Sequence, residues 1–162
     1  MKIAVLSDTH LMDIESCKAL AEKLLSGPFG GVEAVLHAGD IVTSELERCF
    51  APLPWYAVRG NMDHALIDVP ISRVVELEQK RIGLIHGWGE HDDLERRVLA
   101  AFADQELDAL VYGHSHQPVC HRVASLLVMN PGSATDRRRA AHCTVGILTL
   151  DKTIDGEIIV VD

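Results

Sequence analysis

Long apolar runs, paired cysteines and an excess of basic residues are all missing from this sequence. Apolar residues make up 48% of its 162 residues, yet no apolar run approaches the ~20 residues that a membrane-spanning helix needs. The first residues do not form a signal peptide, because Lys2 is followed by only four apolar residues before the chain turns polar. We therefore expect a soluble, cytoplasmic protein with no membrane partner.

The cysteines and the charge exclude further classes of protein. The four cysteines are scattered, with no Cys-x-x-Cys pair, so we expect buried or unused thiols instead of disulfides or a thiolate metal site. The formal net charge is −9 with neutral histidines, which argues against nucleic acid as a partner because phosphate backbones select basic patches. The length suits a single domain over 1–162.

The distribution of apolar residues predicts an α/β fold with mixed sheets and flanking helices. Helical spacing predicts helices over 13–26 and 92–103, and Ser44 and Glu47 have the spacing of a capping box at the start of a third helix. Asp155-Gly156 is a turn signal. Short apolar runs predict strands at 3–6, 34–36, 55–58, 71–77, 81–85, 109–112, 119–123, 126–129, 145–150 and 158–161.

Polar side chains follow five of the predicted strands, most of them beside a glycine. Ligands bind at the carboxyl ends of the strands in open α/β sheets, so we expect these side chains to converge. Two carboxylates, four imidazoles and one amide form a donor set that suits Mn, Fe or Zn. The candidates are Asp8, His10, Asp40, Asn61, His86, His114 and His116.

The number of candidate ligands favours two metal ions. One ion needs four to six ligands, whereas seven donors suit two ions that share one ligand, and Asp40 is the predicted bridge. Two divalent ions ~3.5–4 Å apart would activate a bridging hydroxide and clamp an in-line displacement at phosphorus. The set therefore predicts hydrolysis of a small phosphate ester by direct attack, without a covalent intermediate.

The calcineurin-like metallophosphoesterase superfamily has motifs similar to those of this chain, and its small single-domain bacterial and archaeal phosphodiesterase branch is similar in length. The shared motifs are Asp8-x-His10, Gly39-Asp40, Gly60-Asn61-x-Asp63, His86-Gly87 and Gly113-His114-x-His116. The resemblance implies a four-layered α/β/β/α sandwich with two mixed β-sheets. It also implies a metal-dependent phosphodiesterase with two divalent ions, Mn first and Fe, Zn or Ni as alternatives. One ion would be held by Asp8, His10, Asp40 and His116, and the other by Asp40, Asn61, His86 and His114.

The chain departs from the wider superfamily at Met62. Many members carry a histidine there that is thought to protonate the leaving group, and methionine cannot transfer a proton. We therefore expect a preference for esters such as aryl esters, whose leaving group is stable as an anion. His64 is a candidate substitute acid, with an exposed loop histidine as the alternative interpretation. Asp63 is expected to orient the corner that carries Asn61.

Two further residues have two interpretations each. Trp88 occupies a position where relatives often have histidine, and its ring could stack on an aromatic or nucleobase leaving group, or else serve packing or a subunit contact. His37 lies three residues before Asp40 and is either a hydrogen-bonding partner of the metal site or a core histidine bonded to backbone.

The alternative function is a protein-binding scaffold with little or no catalysis. The same fold serves that role in a eukaryotic retromer subunit that resembles this branch but has eroded metal ligands. In this chain all seven ligand positions hold suitable residues, which favours the enzyme. The resemblance to small family members also predicts a homo-oligomer.

Overall fold

The computed structural model describes residues 1–63 and 68–162. Within these ranges, none of the helices is long and apolar enough to cross a membrane. The elements are β1 (Lys2–Leu6), α1 (Ile14–Leu25), β2 (Ala34–His37), α2 (Glu45–Cys49), β3 (Trp55–Ala57), β4 (Ser72–Leu77), β5 (Lys80–Ile85), α3 (Leu94–Ala101), β6 (Ala109–Val111), β7 (Val119–Val123), β8 (Leu126–Asn130), β9 (Thr144–Leu150) and β10 (Ile154–Val160).

The strands form two mixed sheets of five. The first has the order β10-β9-β1-β2-β3 and the second β4-β5-β6-β8-β7. In the first sheet β1, β2 and β3 run parallel, and in the second β5, β6 and β8 do. The remaining pairings are antiparallel. Parallel neighbours end at the same edge of a sheet, so the loops after β1, β2 and β3, and those after β5 and β6, emerge together.

Three apolar clusters define four layers. Side chains alternate along β1, so that Ala4 and Leu6 pack toward α1 and α2 while Ile3 and Val5 pack between the two sheets. On the other side, Val98 of α3 belongs to a cluster that covers the outer face of the second sheet. The predicted α/β/β/α sandwich is confirmed.

Most predicted elements are present, with small shifts at their ends. α1 begins after Asp13, whose side chain accepts a hydrogen bond from the Ser16 N–H at 2.9 Å, as expected of an N-cap. The predicted capping box at Ser44 is wrong, because the Ser44 side chain makes no cap hydrogen bond and α2 has only five residues. The Glu45 N–H bonds to Thr43 Oγ1 at 3.3 Å instead.

The predicted turn at Asp155-Gly156 is also wrong. Both residues lie within β10, where Gly156 pairs with Leu148 of β9. A Cβ atom at Gly156 would lie 2.7 Å from Met129 Cε and 2.9 Å from Cys120 Sγ. The glycine therefore allows β10 to approach the second sheet closely, and its sequence neighbourhood looks the same as that of a turn glycine.

Candidate metal centre

The seven predicted ligand residues converge at the carboxyl edge of the two sheets. The loop after β1 supplies Asp8 and His10, the loop after β2 supplies Asp40, and the loop after β3 supplies Asn61. The second sheet contributes His86 directly after β5, and His114 and His116 after β6. The site therefore lies across the junction of both sheets, and each sheet supplies part of its donors.

One half of the centre is formed by Asp8, His10 and His116. The Nε2 atoms of His10 and His116 lie 3.2 Å apart, and their rings are stacked with centroids 5.1 Å apart. His116 Nε2 also lies 3.4 Å from Asp8 Oδ1. Asp8 and His116 are fully buried. Three donors from distant parts of the chain thus face one point.

The other half is formed by Asp40, His86, Asn61 and His114. His86 Nε2 lies 3.5 Å from Asp40 Oδ2 and 3.1 Å from Asn61 Oδ1. Asn61 Oδ1 also lies 3.1 Å from His114 Nδ1. These contacts join donors of the two sheets around a second point.

Asp40 reaches both halves. Its Oδ2 atom lies 3.6 Å from His10 Nε2 and 3.5 Å from His86 Nε2, while its Oδ1 atom accepts the Met62 N–H at 2.7 Å. One carboxylate oxygen is thereby fixed by backbone and the other is directed between the histidines. This is the orientation that the predicted bridging role requires.

The donor set fits divalent cations. Two groups, Asp8–His10–His116 and Asp8–Asp40–His86, each have ligand atoms within 4.8 Å of one another. Asp8 Oδ1 is buried and has no hydrogen-bond partner among residues 1–63 and 68–162. An unsatisfied buried carboxylate oxygen is costly, and a cation would satisfy it. Asp8 is common to these two groups, whereas Asp40 is common to the two ligand sets that the family resemblance implies. Both carboxylates therefore face the boundary between the two halves.

The remaining ring nitrogens of three histidines are directed by backbone carbonyls. A carbonyl that accepts one ring N–H leaves the other nitrogen unprotonated and free to act as a ligand. In each case the carbonyl-bonded nitrogen is the one that does not face the centre. The pairs are His86 Nδ1 with Ala38 O at 2.7 Å, His114 Nε2 with Gly89 O at 2.8 Å, and His116 Nδ1 with Asp136 O.

Mutual electrostatics set the protonation of the centre. Burial alone would raise the pKa of Asp40, but the hydrogen bond and charge of His86, with the Met62 N–H, hold the pKa below its usual value. Burial works against a charged His86, yet Asp40 and Asp8 together raise its pKa. Burial is the main cause of the lowered pKa of His10. Asp40 is therefore an ionised carboxylate, the form that binds a cation.

The backbone of the ligand residues is strained. Five of the seven candidates have φ between 47° and 71°, although none is a glycine. The left-handed region costs about 1–3 kcal/mol for such residues, and this strain concentrates at functional sites. The five are Asp8, His10, Asp40, His114 and His116.

Asp63 and His37 support the ligand loops from outside the centre. Asp63 accepts the N–H groups of Asp40 at 3.0 Å, Gly60 at 2.7 Å and Val42 at 2.7 Å. Both of its oxygens are thus committed to backbone, so Asp63 positions the loops and does not face a substrate. It ties the loop of Asp40 to the loop of Asn61, which extends the predicted orienting role.

His37 is fully buried beneath the same loops. Its Nδ1 accepts the Gly39 N–H at 3.2 Å and its Nε2 lies 3.1 Å from Thr9 Oγ1. Both interpretations of His37 therefore hold in part, because it is a core histidine bonded to backbone and it also braces the residues next to Asp8 and Asp40.

Two glycines allow the loops to approach the carboxylates. A Cβ atom at Gly60 would lie 2.1 Å from Asp40 Oδ1, and one at Gly113 would lie 1.9 Å from Ser7 Oγ and 2.8 Å from Asp8 Oδ2. No side chain fits at either position. The glycines beside the ligands are required by close packing as well as by turns.

The other predicted site residues lie around the centre. Met62 and Trp88 are half exposed, one residue after Asn61 and two residues after His86. His64 lies outside the described residues. Exposed apolar side chains therefore follow two of the ligands, and the structure identifies no proton donor at position 62.

Several supporting residues escaped the sequence analysis. Ser7 Oγ donates to Asp8 Oδ2 at 2.6 Å and Ser133 Oγ donates to the Asp8 carbonyl at 2.7 Å. Arg97 bonds to the carbonyls of Trp88 at 3.0 Å, Asp92 at 3.0 Å and Glu90. A helix arginine gives no sequence signal of this kind.

A four-layered sandwich with clustered histidines and carboxylates at its strand ends defines a metallophosphoesterase type of fold. The family model for the calcineurin-like phosphoesterase superfamily domain matches residues 1–153. The chain belongs to this superfamily.

Two archaeal relatives support the assignment. A probable metallophosphoesterase from Methanothermobacter thermautotrophicus is 37% identical over 98% of this chain and 92% of its own length. A probable metallophosphoesterase from Methanocaldococcus jannaschii is 34% identical over 83% of this chain and 69% of its own length.

Solved structures share the fold. An archaeal phosphodiesterase is 26% identical with a TM-score of 0.78, and the match covers 99% of both chains. Vps29 from Chaetomium thermophilum is 23% identical with a TM-score of 0.73, over 98% of this chain and 97% of its own. The likeness to Vps29 shows the fold alone.

Proposed function

We propose that this protein is a dimetal-dependent phosphodiesterase that hydrolyses a small phosphate ester. The observation that carries the proposal is the convergence of seven donors on two adjoining points, together with the buried Asp8 Oδ1 atom, which has no hydrogen-bond partner among the described residues. Asp8, His10, Asp40 and His116 would hold one ion, and Asp40, Asn61, His86 and His114 the other. Mn is the first candidate, with Fe, Zn or Ni as alternatives, since imidazole and carboxylate donors suit these metals.

Two divalent ions held there would supply positive charge for the phosphate and lower the pKa of bound water. The chain's own part is to orient the donors. The Met62 N–H holds Asp40 Oδ1 so that Oδ2 stays directed between His10 and His86. The Gly89 carbonyl holds the His114 Nε2–H, which leaves Nδ1 beside Asn61. Neutral Asn61 adds an oxygen donor without adding negative charge.

A diester is favoured over a monoester as the substrate. One structural relative is described as an archaeal phosphodiesterase, and this chain matches it over almost its whole length. The seven converging donors include no serine or cysteine, which supports direct attack on phosphorus by a water-derived nucleophile. A single turnover in ¹⁸O-labelled water tests this step. Absence of label in the phosphate product contradicts direct attack.

Metal-restored activity is the central test. Chelator-stripped protein is assayed on bis(4-nitrophenyl) phosphate with and without added Mn²⁺, beside His116→Ala and the control His121→Ala. His121 is exposed and pairs with Glu95 at 3.0 Å, away from the centre. We expect turnover that requires Mn²⁺, that falls at least about 100-fold in His116→Ala and that is unchanged in His121→Ala.

The contrary result is equally clear. Folded wild-type protein that neither binds Mn²⁺ in calorimetry nor hydrolyses the diester contradicts the proposal. That outcome would favour the protein-binding scaffold as the function.

A further inference from the structure

A cleft of about 470 Å³ lies directly beside the candidate metal centre. Ser115, between the ligands His114 and His116, lines the cleft, and so does Gly89, whose carbonyl bonds to His114. The volume falls within the range of small-molecule pockets and far exceeds a single phosphate group. A substrate phosphate at the metal centre would therefore have the cleft next to one of its ester arms.

The two arginines of the cleft stand on a loop that is fixed to the metal centre. Arg138 and Arg139 both line the cleft. The Asp136 carbonyl accepts the His116 Nδ1–H, and Asp136 Oδ1 accepts the Arg138 N–H at 3.2 Å. The Ala140 N–H closes the loop on the Arg137 carbonyl at 2.7 Å. The loop that presents the guanidinium groups is thereby joined to a candidate ligand.

The charges of the cleft are only partly neutralised. Arg138 Nε lies 3.5 Å from Asp136 Oδ2. Arg139 has no hydrogen bond or ion pair with any residue that the structure describes. In a chain of net charge −9, an unpaired guanidinium beside a phosphoesterase centre is positioned to bind an anion in bidentate fashion.

The lining of the cleft also offers hydrogen-bond acceptors. Glu90, Asp92 and Gln117 belong to it. Arg97 bonds to the Glu90 and Asp92 carbonyls and so holds the backbone of these two residues. Carboxylates repel a bare phosphate but accept hydrogen bonds from hydroxyl groups. The cleft therefore combines a site for an anion with a site for hydroxyls.

We propose that this cleft binds the second alcohol of the diester substrate, and that it selects an alcohol that carries both hydroxyls and a second phosphate bound by Arg139. This inference rests on the proposed phosphodiesterase function, because it names the substrate class of the same site. Arg139 is then a specificity-determining residue, with Arg138 beside it.

A matched pair of substrates tests the inference. The first is the 4-nitrophenyl diester of glycerol 3-phosphate, and the second is the same diester with a further phosphate on the glycerol. We expect wild-type kcat/KM to favour the phosphorylated diester. Arg139→Gln should lower kcat/KM for the phosphorylated diester about tenfold more than for the plain one, the effect of one charge-assisted bond. The control Arg96→Gln, on the exposed face of α3 beside Asp93, should change neither.

A binding measurement separates failure of the subsite from failure of the proposed function. Calorimetry of chelator-treated protein with glycerol 3-phosphate is expected to show binding that Arg139→Gln removes. If the wild type hydrolyses both diesters without preference, or if Arg139→Gln lowers kcat/KM equally for both, the subsite is overturned and the proposed phosphodiesterase function still stands. Arg139-dependent binding without any hydrolysis supports the subsite as an anion site and contradicts the function. Neither binding nor hydrolysis overturns both.

Discussion

Nε2 of His116 lies 3.4 Å from Oδ1 of Asp8, and both residues are fully buried although they are 108 positions apart in the chain. The other oxygen of Asp8 is satisfied by the Ser7 Oγ–H at 2.6 Å and the His114 N–H at 3.0 Å. Oδ1 has no such donor among the described residues. Without a cation, the folded protein therefore contains a buried acceptor that faces other acceptors.

Asp8→Asn should stabilise the metal-free protein. The amide oxygen would keep the bonds from Ser7 and His114, and the amide N–H₂ would face His86 and His116, which lie 3.8 Å and 3.4 Å from the present Oδ1. At pH 8 in chelator, we expect the free energy of unfolding to rise by about 1–3 kcal/mol, the cost of an unsatisfied buried group. Denaturant unfolding measures this change.

The same variant should respond less strongly to metal. An amide nitrogen cannot bind a cation, so Asp8→Asn lacks a ligand of one of the two proposed ions, and added Mn²⁺ should raise its unfolding midpoint less than that of the wild type. Exposed Asp104→Asn is the control and should behave as wild type within about 0.5 kcal/mol. A metal-free Asp8→Asn variant that is less stable than wild type would show that Oδ1 is satisfied in another way.

His37 should make stability fall in mild acid. Burial, with the nearby His86, lowers its pKa from 6.5 to about 3. Between these values the unfolded chain binds a proton that the folded chain does not, so the free energy of unfolding falls as the pH falls. The contribution is about 1.4 kcal/mol per pH unit. This loss of stability is absent well above pH 6.5, where the histidine is neutral in both the folded and the unfolded chain.

His37→Asn isolates this contribution. The asparagine oxygen can accept the Gly39 N–H that now bonds to His37 Nδ1, but the side chain does not titrate. The variant is less stable overall because the core loses volume. Between pH 6 and pH 5 in chelator, the free energy of unfolding of the wild type should fall about 1.2 kcal/mol more than that of the variant, because an unfolded histidine is not yet fully protonated at pH 6. Equal slopes would mean that His37 binds a proton in the folded state.

The sequence predicts those parts of the structure that depend on local patterns. The apolar run from Ile3 to Leu6 is a buried strand because its alternate side chains enter two different apolar layers. The ligand residues were identified because strand ends that share a sheet edge bring their loops together. Neither inference requires knowledge of a distant contact.

Other parts depend on three-dimensional contacts that carry no local signal. Gly156 fits a strand only because Met129 and Cys120 of the other sheet lie against it. The left-handed backbone of His10 occurs where its N–H bonds to the Asp40 carbonyl at 3.1 Å, a contact between two different loops. Arg97 has the sequence features of an ordinary solvated helix residue. Its three backbone partners become visible only in the fold.

Met62 predicts a strong dependence of rate on the leaving group. With no proton donor at this position, the departing alkoxide must carry its own charge. We expect log kcat to fall steeply as the pKa of the leaving alcohol rises across a series of aryl and alkyl methylphosphonate or phosphate diesters. Met62→His should flatten this slope and raise the rate for alkyl esters about 100-fold.

Met12→His is a matched control for Met62→His. Met12 is also an exposed methionine, 82% accessible, and lies two residues after the ligand His10. It should leave the slope unchanged. A flat dependence in the wild type would show that another residue already acts as the acid.

Arg97 should position the metal ligand His114 through the loop that follows β5. Its guanidinium bonds to the carbonyls of Trp88, Glu90 and Asp92, and Gly89 between them bonds to His114 Nε2 at 2.8 Å. Arg97→Ala should therefore release the Gly89 carbonyl from its fixed place. We expect about a tenfold to hundredfold loss of metal affinity, the usual effect of removing an outer partner of a ligand histidine.

The neighbouring arginine provides the control for this prediction. Arg96 bonds to the Asp93 side chain at 3.1 Å and to no loop carbonyl in the described structure. Arg96→Ala should retain wild-type Mn²⁺ affinity in calorimetry, and its amide hydrogens at 88–92 should exchange as in the wild type. In Arg97→Ala the same amides should exchange faster, because the loop loses its three side-chain bonds. Faster exchange with unchanged metal affinity would show that the order of this loop does not affect metal binding, and would contradict the positioning role of Arg97.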